Sequence, residues 1–443
     1  MLKNRSTLWM LALIAFLAVL VRCAVFLSYP EGGPHVERRD PDGWLSIARN
    51  VVSGQGYASP GNSESPTARR GPTVVYFFAA VLWLAGDHLW AIVIAQWLVD
   101  VGTCLVLFFI TLEIFKDRRV ALVASMLFAL YGSGLVYSLV AWSEPVFTLV
   151  LAGLTWSLLC ALREPSLGRF ALSGGLLGLA VLARPVMQFY PLVVLALLYW
   201  MLDRCWSKVL SSFAVFFLAF AAVLSPWVIR NYFVFNAFIP GSSHSGDSLY
   251  QSNFALDQPD YLHYRTTKKS EPSLRQALEA RFGPAPGHLS LNSYARAKGL
   301  NEYEVDRIAF EEAIKAIREF PGRYAVASLV RFARFWFGSR FVGLFQERGS
   351  RLGYLVAAAN GVLLALAAVA LVCFRGAWLR SAVPLIVLIA YTSAVYAATL
   401  ALARFSVPLM PYVMAFAAYT LVRLLPQWGK SPGVLPSACG VNR

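Results

Sequence analysis

The chain has 443 residues, of which 58% are hydrophobic and only 14% are charged, and its mean hydropathy is +0.58. Soluble domains carry about a quarter charged residues, so this composition excludes that class and indicates a polytopic membrane protein. The net charge of +15 is spread over many loops, which argues against nucleic acid and favours anionic membrane lipids as partners.

Apolar runs long enough to cross a hydrocarbon core of roughly 30 Å predict an all-α transmembrane bundle of about ten spans. The runs lie near residues 7–29, 88–115, 119–140, 144–162, 169–183, 185–202, 208–228, 352–374, 380–400 and 405–425. Lys and Arg in short loops mark the cytoplasmic face, and Lys3, Lys116, Arg163, Arg204 and Arg375 all fall on one side. Both termini are then cytoplasmic, and two large loops with juxtamembrane helices are exoplasmic.

These features divide the chain into six regions. The first apolar run has no small-residue cleavage site after it, so it is interpreted as an uncleaved anchor. The regions are an N-terminal membrane anchor helix (1–29), a first exoplasmic loop (30–87), a transmembrane bundle (88–228), a second exoplasmic loop (229–350), C-terminal transmembrane helices (351–425) and a cytoplasmic tail (426–443).

Shorter helices are predicted inside both loops. Residues 41–52 and 72–85 each begin with Pro, which a first helical turn tolerates. The second of these is too short to cross with its polar flanks, so it is placed at the interface; a crossing would invert everything after it. In the second loop, residues 303–320 predict an amphipathic helix, and 323–337 predict another interfacial helix in which arginines and aromatic residues alternate.

The first loop contains the densest charge. The segment ERRDPDGWLSIARN places Asp40 and Asp42 beside Arg38, Arg39 and Arg49, directly after the first apolar helix. Charge next to a bilayer is costly unless it is paired or meets a charged ligand, so the segment is a candidate site. A solvated loop is the alternative interpretation.

Further polar residues stand at the ends of apolar runs on the same predicted face. They are Arg70 in ARRGP, Glu144 in SEP, Arg184 in ARP, Arg230 and Asn231 in PWVIRNY, and Arg404 in ARFSVP. One such arginine often only snorkels to the interface. Several on one face predict a phosphate pocket, because Arg offers several donors in fixed geometry. Glu144 is interpreted first as a helix cap before Pro145, with Ser143 the other candidate, and second as a substrate-binding residue.

Together these segments resemble the C-type membrane glycosyltransferases, in particular the protein O-mannosyltransferases and lipid A aminoarabinose transferases, from about residue 7 to 425. The resemblance rests on Asp40, Trp44 and Ala48, then GQGY, ARRGP, SEPVF, ARP, PWVIRNYFVFNAFIP and RFSVPLMPY. It implies an exoplasmic active site with Asp40 as the catalytic residue and a polyprenyl-phosphate-linked sugar as donor. The chain departs from the family pattern at Trp44, usually Tyr, and at Pro41, often acidic; no separate soluble domain follows the last span.

The residues also fit this chemistry without the resemblance. A glycosidase needs two carboxyl groups, one of which protonates the leaving group. A lipid phosphate leaves readily when cations hold its charge, so one carboxylate is enough to take the acceptor's proton. Asp40 is the predicted base, with arginines on the phosphate and inversion at the anomeric carbon. Asp42 is the alternative base, although it more naturally caps the helix that begins near Gly43.

The sequence therefore predicts a bacterial inner-membrane glycosyltransferase that transfers a sugar to a lipid, glycan or protein on the periplasmic or exterior face. No cofactor is expected. The five histidines, His35, His88, His244, His263 and His288, lack the close spacing of metal ligands, so no metal is expected either. A transporter or flippase of lipid-linked sugars is the first alternative, although it should show repeated halves. A non-catalytic scaffold is the second.

Overall fold

The computed structural model describes residues 5–28, 40, 42–60, 62–202, 204–262, 267–284, 289–337 and 351–425. In chain order the helices are α1 Arg5–Leu27, α2 Trp44–Val52, α3 Pro72–Ala85, α4 Leu89–Phe115, α5 Arg118–Ala129, α6 Gly132–Tyr137, α7 Glu144–Arg163, α8 Leu167–Ala183, α9 Tyr190–Met201, α10 Trp206–Phe235, α11 Ser245–Asn253, α12 Thr267–Phe282, α13 Leu291–Ala297, α14 Glu302–Glu319, α15 Pro321–Phe337, α16 Arg351–Cys373, α17 Trp378–Ala398 and α18 Met410–Leu424. Short 3₁₀ helices occupy Pro185–Met187 and Ala403–Leu409.

The all-α polytopic membrane architecture predicted from the sequence is confirmed. Within the described ranges, six elements are long and apolar enough to cross a membrane, namely α1, α4, α7, α10, α17 and the continuous segment Ala403–Leu424. The apolar helices α3, α8, α9 and the Ala357–Cys373 part of α16 are shorter. The predicted runs at 169–183 and 185–202 thus form helices of 17 and 12 residues, whereas α16 is 23 residues long.

The predicted span at 119–140 is wrong as a single helix. Helix α5 ends at Ala129, α6 covers only Gly132–Tyr137, and α7 starts at Glu144. The sequence LYGSGLVYS supplies the physical reason, since glycine and serine are poor residues for a helix interior. Residues 133–148 are all buried, so the interrupted backbone lies inside the protein.

Glycines set the packing of the bundle. A Cβ at Gly174 in α8 would overlap the carbonyl oxygen of Phe216 in α10, and one at Gly178 would come within 2.7 Å of Val223. Small residues let membrane helices approach this closely. Helix α7 and the segment Ala403–Leu424 lie at the centre, with 67% and 83% of their most apolar stretches buried.

Both loops are folded. The first contains α2, α3 and an antiparallel hairpin of β1 (Ala58–Ser59) and β2 (Asn62–Pro66). The second contains α11 to α15. Its amphipathic helix is confirmed as α14, which begins with a capping box between Asn301 and Glu304. The predicted apolar stripe of α14 faces inward and packs against α11 and α12, so it forms the core of this loop.

Helix α15 differs from the prediction in the direction of its arginines. The Arg331 side chain is buried and donates to the carbonyl oxygens of Ala397 and Ser252, and Arg323 donates to that of Leu256. The large exposed side chains of this helix are apolar: Val326, Leu329, Phe332 and Phe337. Arg331 therefore connects the second loop to the end of α17, and Arg323 joins α15 to the stretch after α11.

The predicted orientation has a direct test. A reporter enzyme fused after Arg119 is expected to be cytoplasmic, and one fused near Asp260 is expected to be external, because short loops rich in Lys and Arg stay inside. Activity of paired alkaline phosphatase and fluorescent-protein fusions measures both positions. Reversed signals would contradict the orientation.

Candidate active site

The site begins at a tight turn in the first loop. The backbone N–H of Gly43 donates to the carbonyl oxygen of Asp40 at 3.1 Å, and Gly43 has a φ of 76°, a left-handed conformation that glycine adopts without strain. This turn delays the start of the helix from the predicted residue 41 to Trp44. It also places Asp40 and Asp42 on the approach to α2.

Asp40 is the carboxylate that caps α2. Its Oδ2 accepts hydrogen bonds from the backbone N–H of Ser46 at 2.7 Å and from the Ser46 hydroxyl at 2.8 Å. Its Oδ1 is buried and has no hydrogen-bond partner in the described part of the chain. The expectation that Asp42 caps this helix is therefore wrong, since no side chain caps it at Gly43 and Asp42 is engaged elsewhere. A buried carboxylate oxygen without a partner is uncommon in native structures and often marks function.

Asp42 instead lies between two arginines. Its Oδ2 is 2.9 Å from Nη2 of Arg404, and its Oδ1 is 3.7 Å from Nη2 of Arg70. Arg70 also donates through Nε to the Asp42 carbonyl oxygen at 2.7 Å. Burial would raise the pKa of Asp42, but the charges of Arg404 and Arg70 outweigh it and hold the pKa below its usual value. Asp42 is therefore a poor proton acceptor while both arginines contact it.

Glu144 connects Arg404 to a third guanidinium group, that of Arg184. Its Oε1 is 2.6 Å from Nη2 of Arg184 and 3.6 Å from Nε of Arg404. The Ser143 hydroxyl accepts from Nε and Nη2 of Arg184 at 3.0 and 2.8 Å. Neither Ser143 nor Glu144 caps α7 through its side chain, so the cap interpretation is wrong. The arginines compete successfully for these oxygens because a buried carboxylate needs a cation nearby.

The arginines come together where helices end or are interrupted. Arg184 follows the last residue of α8, and Arg404 lies in the 3₁₀ helix before α18. Arg70 reaches them because Gly71 touches the end of α8, where a Cβ would overlap the carbonyl oxygen of Leu182. This close contact explains the glycine in the ARRGP motif.

Aromatic rings line the arginines. The guanidinium carbon of Arg404 lies 4.9 Å from the ring centre of Trp142, that of Arg184 lies 4.9 Å from Phe405, and that of Arg70 lies 5.5 Å from Trp44. These distances are typical of cation–π contacts, which hold a guanidinium group in place without using its donors. We call the group formed by Asp42, Arg70, Glu144, Arg184 and Arg404 the arginine cluster.

Arg230 and Asn231 do not lie in the arginine cluster. Arg230 donates to the carbonyl oxygens of Thr67 and Tyr57 at 2.8 and 3.0 Å, and to the Asn231 side chain at 2.8 Å. Asn231 donates to the carbonyl oxygen of Ile239 at 3.0 Å. These contacts tie the end of α10 to the first-loop hairpin. Their predicted part in substrate binding stays a prediction.

A cavity of about 470 Å³ opens beside the arginine cluster, between the two loops. Asp42 and Arg70 line it from the first loop, and His244, Asp247 and Asp306 line it from the second. Charged side chains line it on both sides, together with apolar ones such as Ile47, Phe235 and Leu300. The cavity is therefore suited to a hydrophilic group that lies next to the arginines.

The second-loop wall of this cavity was not predicted. Nδ1 of His244 is 3.0 Å from Oδ2 of Asp247, and Nη2 of Arg69 approaches the same two atoms at 3.2 and 3.3 Å. Burial would raise the pKa of Asp247, but the hydrogen bond from His244 and the charges of His244 and Arg69 lower it. The three-residue spacing in HSGD was the available signal, but it does not show that Arg69 is their neighbour.

Glu302 connects this wall to the first loop. Its carboxylate accepts from the Thr67 hydroxyl at 2.8 Å, from the Ser243 hydroxyl at 2.5 Å and from the backbone N–H of Ala68. Asp306, one turn further along α14, accepts from the backbone N–H of Asp247 at 2.7 Å. Helix α14 thus fixes both walls of the cavity.

Among the described residues, no group of three or more His, Cys, Asp or Glu side chains is arranged to hold a metal ion. His35, His263 and His288 lie outside the described residues, as do Arg38 and Arg39. The described His88 stacks on Trp90, away from the arginine cluster.

One protein-family model and several solved membrane proteins are similar to this chain. The family model described as dolichyl-phosphate-mannose-protein mannosyltransferase matches residues 69–229, a stretch that includes Arg70, Glu144 and Arg184. The solved archaeal oligosaccharyltransferase AglB from Archaeoglobus fulgidus, in complex with an inhibitory peptide and a dolichol-phosphate, shares the fold with a TM-score of 0.55 and 13% identity. The predicted resemblance to the C-type membrane glycosyltransferases is confirmed.

The likeness in fold to AglB extends over most of this chain. The match to AglB covers 95% of this chain but 50% of the archaeal one, so this chain spans about half the length of that relative. ArnT from Cupriavidus metallidurans, solved with undecaprenyl phosphate, matches with a TM-score of 0.41 and 17% identity, over 93% of this chain and 77% of that one. No curated protein sequence matches at a significant level.

Proposed function

We propose that this chain is a membrane glycosyltransferase that takes a sugar from a polyprenyl-phosphate carrier and passes it to a lipid, glycan or protein acceptor on the exoplasmic face. The observation that carries the proposal is the arginine cluster, in which three guanidinium groups share only two carboxylates. The match to a family described by a dolichyl-phosphate-linked donor supports the same donor class.

The arginine cluster suits a lipid phosphate. Arg404 contacts both Asp42 and Glu144, and its side chain is partly exposed. A phosphate that arrives beside it can replace the Asp42 contact and accept several charge-assisted hydrogen bonds from Arg404 and Arg70. Arg184 is more deeply buried and keeps its pairing with Glu144, so it supports the site from behind.

Asp40 is the proposed general base. The two hydrogen bonds from Ser46 orient its carboxylate, while its Oδ1 keeps its lone pairs available. The acceptor oxygen or nitrogen forms a bond to the anomeric carbon of the sugar as the bond from that carbon to the phosphate oxygen breaks. The acceptor proton goes to Asp40, and the polyprenyl phosphate leaves with the bonding electrons, held by the arginines. Attack opposite the phosphate inverts the anomeric carbon.

The cavity between the loops provides space for the polar reactants. Its volume of about 470 Å³ lies within the range of small-molecule pockets. Asp42 and Arg70 line it, which supports a sugar position next to the proposed phosphate site. The wall formed by His244, Asp247 and Arg69 offers donors and acceptors for hydroxyl groups.

The decisive experiment uses the full-length protein in nanodiscs. It is incubated with a panel of polyprenyl-phosphate sugars and a membrane lipid extract as acceptor, and the free carrier is measured by mass spectrometry. We expect at least one donor to release its carrier, and nucleotide sugars, the control donors, to remain intact. Turnover of nucleotide sugars alone would contradict the donor class. Failure of the whole panel would remove the enzyme assignment.

A further inference from the structure

An ion pair lies inside the helical bundle, separate from the arginine cluster. Nε and Nη2 of Arg22 in α1 donate to Oδ2 of Asp100 in α4 at 3.1 and 2.9 Å. Side-chain exposure is 0% for Arg22 and 4% for Asp100, so lipid and water do not screen the pair. Charges inside a membrane protein are costly, which makes a structural or functional task for this pair the default expectation.

The remaining contacts of Arg22 show which segment the pair supports. Nη1 of Arg22 donates to the carbonyl oxygen of Ala129, the last residue of α5, at 3.2 Å. One turn before Asp100 in α4, the buried Gln96 side chain donates to the carbonyl oxygens of Ser138 and Val140 at 3.2 and 3.1 Å. Ser138 and Val140 lie in the interrupted stretch between α5 and α7, and Ala129 is the helix residue at which that stretch begins.

The carbonyl groups at the break between α5 and α7 need hydrogen-bond donors from other parts of the protein. A continuous helix would satisfy these carbonyl groups itself, but α5 stops at Ala129 and the backbone does not resume a long helix until α7. At membrane depth, irregular backbone is tolerated only where protein groups satisfy it. Arg22 and Gln96 supply those groups, and Asp100 balances the charge of Arg22.

The supported segment leads directly into the arginine cluster. The backbone N–H of Trp142 donates to the carbonyl oxygen of Val140, which is itself held by Gln96. Trp142 packs on Arg404, and the next two residues, Ser143 and Glu144, bind Arg184. A shift of Val140 would therefore move three contacts of the arginines.

We propose that Arg22, Gln96 and Asp100 are positioning residues, which hold residues 130–142 so that Glu144 bridges Arg184 and Arg404 at the spacing needed for a lipid phosphate. The ligand named here rests on the proposed function, whereas the anchoring of the segment does not. None of the three residues is in the arginine cluster, so they act only through the segment between α5 and α7.

The test compares three variants of the full chain in nanodiscs. Asp100→Asn removes the charge partner of Arg22, and Gln96→Met removes the two carbonyl contacts with little change in volume, as a milder variant that is expected to fold. Glu113→Gln is the matched control, because Glu113 also lies in α4 and pairs with Lys116 and Arg163 at 2.6 Å, but at the opposite end of the helix. The measurements are amide hydrogen exchange and the affinity for undecaprenyl phosphate.

We expect exchange at residues 130–142 to accelerate at least tenfold in Gln96→Met and Asp100→Asn, and the affinity for undecaprenyl phosphate to fall about tenfold. Glu113→Gln should match the wild type in both. Unchanged exchange in Gln96→Met would overturn the anchoring, and faster exchange with unchanged affinity would overturn the positioning role. If the wild type does not bind undecaprenyl phosphate, the proposed function fails. The amide exchange at residues 130–142 in Gln96→Met, compared with Glu113→Gln, then still decides whether the segment is anchored as proposed.

Discussion

Replacing Asp40 by Asn is expected to lower sugar transfer by about 10²- to 10⁴-fold, the usual contribution of a general base. The amide cannot accept the acceptor's proton. Its oxygen can still accept the hydrogen bonds from Ser46, and Asn is a good helix cap, so α2 should remain folded. Carrier release by the purified variant, measured beside its thermal stability, gives the result.

Two variants serve as controls for Asp40→Asn. Ser46→Ala removes one of the two hydrogen bonds to Asp40 and should reduce the rate only modestly, because the backbone N–H of Ser46 remains. Asp42→Asn tests the alternative base; it should weaken the hold on Arg404 without removing turnover. Near-normal transfer by Asp40→Asn together with an inactive Asp42→Asn would assign the base to Asp42.

Replacing Arg404 by Gln is expected to weaken binding of undecaprenyl phosphate by roughly 10- to 150-fold, since hydrogen bonds to charged groups contribute about 1.5–3 kcal/mol. The loss should be this large because Arg404, alone among the described arginines, contacts both Asp42 and Glu144. Binding is measured by displacement of a fluorescent polyprenyl phosphate. Arg404→Lys should recover part of the affinity, because it keeps the charge but not the fork of donors.

Arg230→Gln is the comparison for Arg404→Gln. Arg230 donates to backbone carbonyl groups of the first loop. Its replacement should therefore lower the melting temperature and leave the affinity for undecaprenyl phosphate nearly unchanged. Equal losses of affinity in both variants would place Arg230 on the phosphate, as the sequence predicted. An unchanged affinity in Arg404→Gln would instead contradict the phosphate role of the arginine cluster.

Local patterns were sufficient for most elements of the fold. The amphipathic stripe of α14 and its Asn301 cap could be predicted because helix periodicity and capping depend on residues within a few positions of one another. The break after Ala129 could not, because hydropathy is high throughout 119–140. The glycines and serines of LYGSGLVYS disfavour a helix there, and Arg22 and Gln96, from two other helices, donate to carbonyl groups at and after the break.

The sequence predicted which residues of the arginine cluster lie together, but not which carboxylate pairs with which arginine. Asp42, Arg70, Glu144, Arg184 and Arg404 lie together, as the convergence of motifs on one predicted face had indicated. Only the helix cap was assigned to the wrong aspartate, since Asp40 caps α2 and Asp42 pairs with Arg70 and Arg404. Sequence position favoured Asp42 as the cap because it lies next to the helix, whereas the turn at Gly43 allows Asp40 to reach the N–H of Ser46.

The sequence by itself determined that this is an all-α membrane protein with two folded loops, and it indicated the five charged residues that lie together in the arginine cluster. Hydropathy, helix periodicity and charge bias are local properties, so they are present in the chain before it folds. Only the tertiary structure decided which carboxylate meets which arginine, and that the wall of His244 and Asp247 faces the cluster across a cavity. Those pairings join residues up to hundreds of positions apart, and they depend on helix packing that no local pattern encodes.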